Sequence, residues 1–225
     1  MCNRYGYRHP YRALNEEFSE SKVPILRWAE GVAQPNAPLE DIRPTDRAPI
    51  LRPVDAGDPG AGLELAELRW WLIPAFHRGP VKAWKAMCTN ARSEAIAETA
   101  AFREPFRRRR CLVPASHWFE WTPADPEKPK GPKLKWKFTV RGAETVCFPG
   151  LWEQAHTADG VIESFTIATC AAGPDGAAYH DRQPVVLARD DWAAWLDLGG
   201  DARGLLQPSP AGTIMIQPAP AETAA

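Results

Sequence analysis

The fold class is indicated most directly by residues 110–122, which read RCLVPASHWFEWT. Within this stretch, residues 110–114 and 118–122 are short segments rich in β-branched and aromatic side chains, a composition that is typical of strands. Two such segments in close succession predict a β-rich fold. Segments of the same kind recur on both sides, at residues 48–54, 63–73, 134–140, 145–151, 164–170 and 184–188.

Helical signals are few in comparison. Residues 93–102 begin with a serine suited to capping, and residues 190–198 begin with an aspartate suited to capping. The chain also has 23 prolines in 225 residues, about twice the usual ~5% share, which limits long helices. The sequence therefore predicts an α+β fold in one domain, residues 1–216, with a mainly antiparallel, barrel-like β core flanked by a few short helices. Residues 217–225 are predicted to form a flexible tail.

The net charge is −1, but the charges are segregated along the chain. Residues 80–141 contain 14 Lys and Arg against 6 Asp and Glu, so this stretch carries +8 and the remainder −9. Such a distribution fits a local site for anions such as nucleic-acid phosphates. It fits equally well an ordinary solvated surface, and charge alone leaves both interpretations open.

Cysteine usage and the lack of long apolar runs indicate a cytosolic protein. No stretch approaches the ~18 apolar residues of a membrane helix, and the chain starts without a signal-peptide core. Five cysteines without a C-x-x-C pair favour free thiols over a disulfide framework or a zinc ribbon. We therefore expect no metal, no cofactor and no membrane partner.

Cys2 has a chemical capacity that an internal cysteine lacks. Once Met1 is removed, it presents an α-amine and a thiol on the same residue, and both groups ionise near neutral pH. The amine can attack an aldehyde to give an imine, and the thiolate can then close a five-membered thiazolidine on the same carbon. Taken by itself, however, a single cysteine at this position favours an ordinary terminus that has no role.

Several blocks of sequence, in order over residues 1 to about 198, resemble the SOS response-associated peptidase family. The principal blocks are MCNRY at 1–5, TNARSE at 89–94, RCLVPA at 110–115, WFEW at 118–121 and HDRQPVVL at 180–187. Supporting blocks are RWWLIPAF at 69–76, PGLWE at 149–153 and FTIAT at 165–169. The resemblance implies a DNA-damage protein that captures the aldehyde of abasic sites in single-stranded DNA through a thiazolidine at Cys2. It also implies possible lyase and reversal activity.

Three further residues complete the catalytic set that the resemblance implies. Glu120 lies among aromatic residues, so partial desolvation is expected to raise its pKa and let it both donate and accept a proton. His180 is suited to proton transfer near neutral pH, and Asn90 can position the sugar or the Cys2 amine. Without the resemblance, these are equally well a surface glutamate, a turn histidine and a turn asparagine.

The predicted DNA contacts are arginines and aromatic residues. Arg4, Arg92 and Arg182 carry guanidinium groups suited to phosphates, and Trp121 and Phe76 can stack on bases. Contacts of this kind bind the backbone without reading sequence and weaken with salt. Two positions depart from the family pattern: Asn3 stands where glycine is common, and residues 75–77 replace a tryptophan-rich pair.

Two other functions remain open at this stage, and we expect a monomer for each. One is a thiol peptidase that uses Cys2, including self-removal of Met1, although no signature of an oxyanion hole is present. The other is a non-covalent module that binds single-stranded DNA, in which Cys2 has no role.

Overall fold

The computed structural model describes residues 3–19, 21–32, 38–55 and 58–220 of the 225-residue chain. The helices are α1 (Tyr11–Ser19), α2 (Arg103–Arg108) and α3 (Trp192–Leu196). The strands are β1 (Tyr5–Tyr7), β2 (Ile25–Trp28), β3 (Leu39–Ile42), β4 (Arg47–Asp55), β5 (Asp58–Trp70), β6 (Asn90–Arg92), β7 (Arg110–Ala115), β8 (His117–Pro123), β9 (Lys133–Val140), β10 (Val146–Thr157), β11 (Gly160–Ala171), β12 (Arg182–Pro184) and β13 (Ile214–Pro218). None of the helices in these ranges is long and apolar enough to cross a membrane.

Five strands close into a barrel. Strands β5, β4, β7, β10 and β11 pair in that order, all antiparallel. The ring closes because β11 also pairs with β5 in parallel, Ser164 opposite Arg69 and Phe165 opposite Trp70. Strands β6 and β12 extend the sheet from β11, and β2 extends it from β5. The predicted α+β domain with a barrel-like, mainly antiparallel core is confirmed.

A second, antiparallel sheet has the strand order β13-β9-β8-β1-β3 and packs on the barrel. Tyr5 and Trp118, on its inner face, are fully buried against the barrel core. Tyr5 contacts Trp70 with ring centroids 5.0 Å apart, and Trp118 contacts Phe148 at 5.8 Å. These edge-to-face contacts fix how the second sheet sits on the barrel.

Side chains alternate along the barrel strands between two hydrophobic clusters, as the period of two in a strand requires. On β7, Cys111 and Val113 belong to the cluster that includes Tyr5 and Trp118, whereas Leu112 belongs to the other. The helices cover this second cluster, and Phe18 of α1 stacks on Trp192 of α3 with centroids 4.4 Å apart. The second sheet therefore packs against one side of the barrel sheet, and the helices pack against the other side.

Seven of the eight predicted strands coincide wholly or in large part with β4, β5, β7, β8, β9, β10 and β11, although the strand predicted over residues 63–73 ends at Trp70. The eighth, residues 184–188, is wrong in extent: β12 ends at Pro184, and beyond it Leu187 makes only an isolated bridge to Cys147. The last strand includes Gln217 and Pro218, which were predicted to lie in the tail, because they pair with β9. Residues 221–225 of that tail lie outside the described residues.

The helix predicted over residues 93–102 is wrong. The segment forms a short 3₁₀ turn at Ser93–Ala95 and further turns, and the continuous helix α2 starts only at Arg103. The Thr99 hydroxyl donates to the Ala95 carbonyl at 2.9 Å, a local bond that competes with regular helix geometry. Pro105, which has no N–H, is tolerated only in a first turn, so α2 begins near it. The predicted helix at 190–198 is shorter in the structure, as α3.

Gly150 of β10 lies opposite Cys111, where the barrel interior has no room for a side chain. A Cβ atom there would lie 2.7 Å from Val113 Cγ2 and 2.8 Å from Cys111 Sγ. We therefore expect Gly150→Ala to lower the free energy of unfolding by about 1–3 kcal/mol, as measured by urea denaturation. The matched control is Gly204→Ala, whose Cβ would meet nothing within 4 Å. Equal stability of the two variants would contradict the packing described here.

Candidate active site

The pairing of β1 with β8 places the beginning of the described chain beside Glu120. Tyr5 pairs with Trp118, and the Phe119 N–H donates to the Arg4 carbonyl at 2.9 Å. The same register, continued by two residues from the Tyr5–Trp118 pair, sets Asn3 opposite Glu120 on the inner face of the sheet. Cys2 itself lies outside the described residues.

Asn90 and Thr89 hold the side chain of Asn3. Strand β6 runs parallel to β11, with Asn90 opposite Ile167, and this pairing buries Asn90 to 6% exposure. The Asn90 amide nitrogen lies 3.5 Å from Asn3 Oδ1, and the Thr89 hydroxyl donates to the same oxygen at 3.3 Å. The asparagine that departs from the family pattern is therefore a contact of the predicted site residue Asn90.

Glu120 is buried on the inner face, as strand alternation predicts, together with Trp118, while Phe119 and Trp121 point to the other side. Its side chain is only 4% exposed. Burial, with a smaller contribution from the negative charge of Asp181, raises the pKa of Glu120 from its ordinary 4.5 to about 7. A carboxyl group with this pKa is present in both protonation states at neutral pH.

His180 lies next to Glu120, with its Nε2 4.0 Å from Glu120 Oε2. The Arg182 backbone N–H donates to His180 Nδ1 at 2.9 Å, so the neutral ring carries its proton on Nε2, the nitrogen that faces Glu120. Burial lowers the pKa of His180. In the protonated ring, Nδ1 can instead donate to Asp181 Oδ1, which lies 2.8 Å away. The structure thus brings the two predicted proton carriers together.

Two of the three predicted DNA-binding arginines form ion pairs within the protein. Arg4 binds Asp41 through two bonds of 2.5 and 2.8 Å. Arg182 binds Glu94 through two bonds of 2.5 and 3.0 Å and also donates to the Thr169 carbonyl at 2.8 Å. Because Glu94 follows β6 and Arg182 follows His180, this pair links the segments that carry Asn90 and His180.

The third arginine, Arg92, is exposed at the end of β6. Phe76 is 56% exposed in the connection between β5 and β6, where its ring contacts Trp84 with centroids 5.7 Å apart. Met87, in the same connection, is also 56% exposed and was not predicted from the sequence. Trp121 lies on the outer face of its sheet, not beside Glu120. The predicted DNA-contact residues therefore divide between two surfaces.

Sequence reasoning missed Thr89, Glu94 and Asp181 as members of this site. All three lie inside blocks that it singled out, 89–94 and 180–187, next to a residue that it did name. Proximity in the sequence to a named site residue was therefore the only indication that they belong to the site, because contacts between distant segments cannot be seen in local composition.

The four cysteines in the described part of the chain, Cys88, Cys111, Cys147 and Cys170, are all free and buried. Burial raises the pKa of each thiol, to about 11 for Cys170. Neutral, buried thiols are poor nucleophiles. Among the same described residues, no group of three or more His, Cys, Asp and Glu side chains is placed to hold a metal ion.

The family model for the SOS response associated peptidase (SRAP) matches residues 1–222. The chain therefore belongs to the SOS response associated peptidase family, and the resemblance found in the sequence is confirmed.

Three relatives from Bacillus subtilis are named abasic site processing proteins. YoaM is 33% identical over 198 residues, which cover 88% of this chain and 79% of that protein. YoqW is 31% identical over 198 residues, covering 88% and 80%. YobE is 32% identical over 139 residues, and the chain spans 61% of its length.

Solved structures share the fold. A protein from Bordetella bronchiseptica has a TM-score of 0.76 at 24% identity, covering 98% of this chain and 100% of that one. A phage-related protein from the same organism has a TM-score of 0.73 at 23% identity, covering 98% and 95%. The barrel with its second sheet is thus a known architecture.

The raised pKa of Glu120 makes stability depend on pH. Between pH 4.5 and about 7, the folded protein holds a proton on Glu120 that the unfolded chain has released, so stability falls as pH rises through this window. Across this pH window, we expect the free energy of unfolding of wild type to fall by roughly 3 kcal/mol relative to that of Glu120→Gln. Thermal or urea unfolding at a series of pH values measures this difference. Parallel pH profiles for the two proteins would show that Glu120 titrates normally.

Proposed function

We propose that this protein captures abasic sites in single-stranded DNA by forming a thiazolidine between Cys2 and the aldehyde of the ring-opened deoxyribose, so shielding the lesion. Family membership supports this proposal, as do the names of the relatives, which are abasic site processing proteins. The observation that carries it is the contact of Asn90 with Asn3, the residue that follows Cys2 in the sequence, together with the pair of Glu120 and His180. Glu120 lies opposite Asn3 when the register of β1 and β8 is continued.

Distance along the chain supports a role for Cys2 in this cluster. Consecutive Cα atoms are about 3.8 Å apart, so a residue joined to Asn3 is within reach of groups that surround Asn3. The four described cysteines, by contrast, are buried with raised thiol pKa values. Cys2 is therefore our candidate for the reacting thiol.

The proposed reaction balances as an aldehyde plus an aminothiol giving a thiazolidine and water. After removal of Met1, the α-amine adds to the aldehyde carbon to give a carbinolamine. Protonation of its hydroxyl expels water and leaves an imine. The thiolate then adds to the imine carbon, the nitrogen takes up a proton, and the five-membered ring is closed.

Glu120 and His180 are suited to the proton transfers of these steps. A carboxyl group with a pKa of about 7 can protonate the departing hydroxyl and then accept a proton from the amine or thiol. His180 presents Nε2 to the same side, 4.0 Å from the Glu120 carboxylate. Asn90 supplies an amide that orients the reacting groups without itself reacting.

Two further activities follow from the same intermediates. The imine acidifies the neighbouring sugar carbon, so loss of a proton there can expel the 3′ phosphate and cleave the strand. Protonation of the thiazolidine by Glu120 can reopen the ring and release the DNA. Lyase and reversal activities thus belong to the proposal, whereas no contact in the described site favours a general peptidase over it.

The decisive test incubates the purified protein with a single-stranded oligonucleotide that contains one abasic site and looks for a slower band on a denaturing gel. We expect the band for wild type and for Cys88→Ala. We expect none for Cys2→Ala or for a variant that keeps extra residues before Cys2, because both lack the free aminothiol. An equal band from all four proteins would overturn the thiazolidine chemistry.

The same experiment separates the competing functions. Cys2-dependent cleavage of unrelated peptides without a DNA adduct would favour a thiol peptidase. Salt-sensitive binding to intact strands that is unaffected by Cys2→Ala, again without adduct, would favour a non-covalent binding module. An arm with double-stranded DNA tests the preference for single strands.

A further inference from the structure

Two successive tryptophans, at the end of β5 and just beyond it, bind the segment that leads into β6. The Trp70 indole Nε1 donates to the Thr89 carbonyl at 2.8 Å. The Trp71 indole Nε1 donates to the Ala86 carbonyl at 2.9 Å. Both bonds therefore hold residues 86–89, immediately before β6. We call Trp70 and Trp71 the tryptophan clamp.

The backbone departs from strand geometry at Trp71, where β5 has just ended. In a regular strand, successive side chains point to opposite faces of the sheet. Trp71 has a φ of +133°, a value that a residue with a bulky side chain rarely adopts. The alternation ends there, and both indoles meet the same segment. A backbone conformation of this kind persists only where the surroundings fix it, and the bonds to residues 86–89 do so.

Trp70 contacts both of the segments that meet at Asn3. It is fully buried, and its ring centre lies 5.0 Å from that of Tyr5 in β1. Its Nε1 binds Thr89, whose hydroxyl donates to Asn3 Oδ1 at 3.3 Å. The Asn90 amide nitrogen lies 3.5 Å from the same oxygen. One rigid side chain therefore sets the spacing between β1 and the residues that bind Asn3.

Strand pairing alone would hold Thr89 less firmly. The Thr89 carbonyl also accepts from the Ile167 N–H of β11, but at a longer 3.3 Å. Strand β6 itself has only three residues and pairs with β11 over that short length. A hydrogen bond in a buried, apolar setting is stronger than one in water. The buried bond from Trp70 therefore contributes much of what fixes the start of β6.

We propose that the tryptophan clamp positions Thr89 and Asn90 for the reaction at Cys2. Trp70 and Trp71 are then positioning residues, which act through the segment that binds Asn3. This inference rests on the proposed capture of abasic DNA. Because the clamp places groups of the protein relative to one another, it governs how fast bound DNA reacts and not how tightly DNA binds.

The test compares Trp70→Phe with Trp195→Phe. Phenylalanine keeps an aromatic ring but lacks the indole N–H donor. Trp195 is a matched control, because it is also fully buried and its Nε1 donates to the Cys111 carbonyl at the same 2.8 Å, but it lies on α3. The rate constant of adduct formation with a single-stranded abasic oligonucleotide is measured over a series of DNA concentrations, and urea unfolding gives the stability of each variant.

We expect Trp70→Phe to lower the rate constant at saturating DNA by about tenfold, because a misplacement of about 1 Å costs up to about a hundredfold. The half-saturating DNA concentration is expected to stay within about twofold of the wild-type value. Trp195→Phe is expected to lose similar stability but to keep the wild-type rate constant. Loss of folded protein alone would lower the amount of adduct and leave its rate constant unchanged.

Trp71→Phe keeps the test decisive if Trp70→Phe does not fold, because the bond from Trp71 is exposed and its loss costs less stability. We expect its rate constant at saturating DNA to fall by about threefold. An unchanged rate constant in the clamp variants or an equal fall in Trp195→Phe would overturn the inference. A change confined to the half-saturating DNA concentration would overturn it as well.

Hydrogen exchange on the free protein separates this inference from the proposed function. We expect the backbone amides of β6 to exchange faster in the clamp variants than in wild type or Trp195→Phe, because β6 has lost a bond that fixes it. Failure of wild type to form any adduct would refute the capture reaction, and the exchange rates would still show whether the clamp holds β6. Equal exchange in all of these proteins would contradict the clamp.

Discussion

The pairing of β1 with β8 is the constraint on which the site depends. Three residues of β1 suffice, because Tyr5 is wedged between the barrel residues Trp70 and Phe148 and its neighbours are bonded into the sheet. This register sets Asn3 opposite the buried Glu120 and Arg4 on the far side. A shift by one residue would exchange the two faces and separate the start of the chain from Glu120.

Burial of Glu120 has a cost in stability and a chemical use. A carboxyl group in an apolar setting holds its proton, which costs stability once the pH rises above the normal pKa. The same shift keeps a proton donor and acceptor available at neutral pH, beside a histidine whose tautomer is set by the Arg182 backbone. The ion pair of Arg182 with Glu94 then ties the histidine segment to the segment of Asn90. Arg182, which the sequence suggested as a DNA contact, thus forms an ion pair that holds the site together.

Local patterns in the sequence predicted a good part of this arrangement. The strands at residues 110–114 and 118–122 and the α+β class follow from composition, and strand alternation places Glu120 on the same face as Trp118; all of these appear in the structure. Contacts between distant segments were not predictable: Arg4 and Asp41 are 37 residues apart, and Arg182 and Glu94 are 88 apart. Helix α1 was not predicted from the sequence, because its burial depends on a contact with Trp192, which lies far along the chain. Strand β6 has only three residues and exists through its pairing with β11.

Direct titration of the Glu120 carboxyl group tests the central claim most directly. Its infrared or carbon-13 signal can be isolated as the difference between the spectra of wild type and Glu120→Gln, recorded across the pH range on the folded protein. A buried carboxyl group between the barrel and the second sheet predicts a midpoint of about 7. A midpoint near the ordinary value of 4.5 would mean that water reaches Glu120 freely, and would contradict both the packing of the second sheet and the proton-transfer role assigned to this residue.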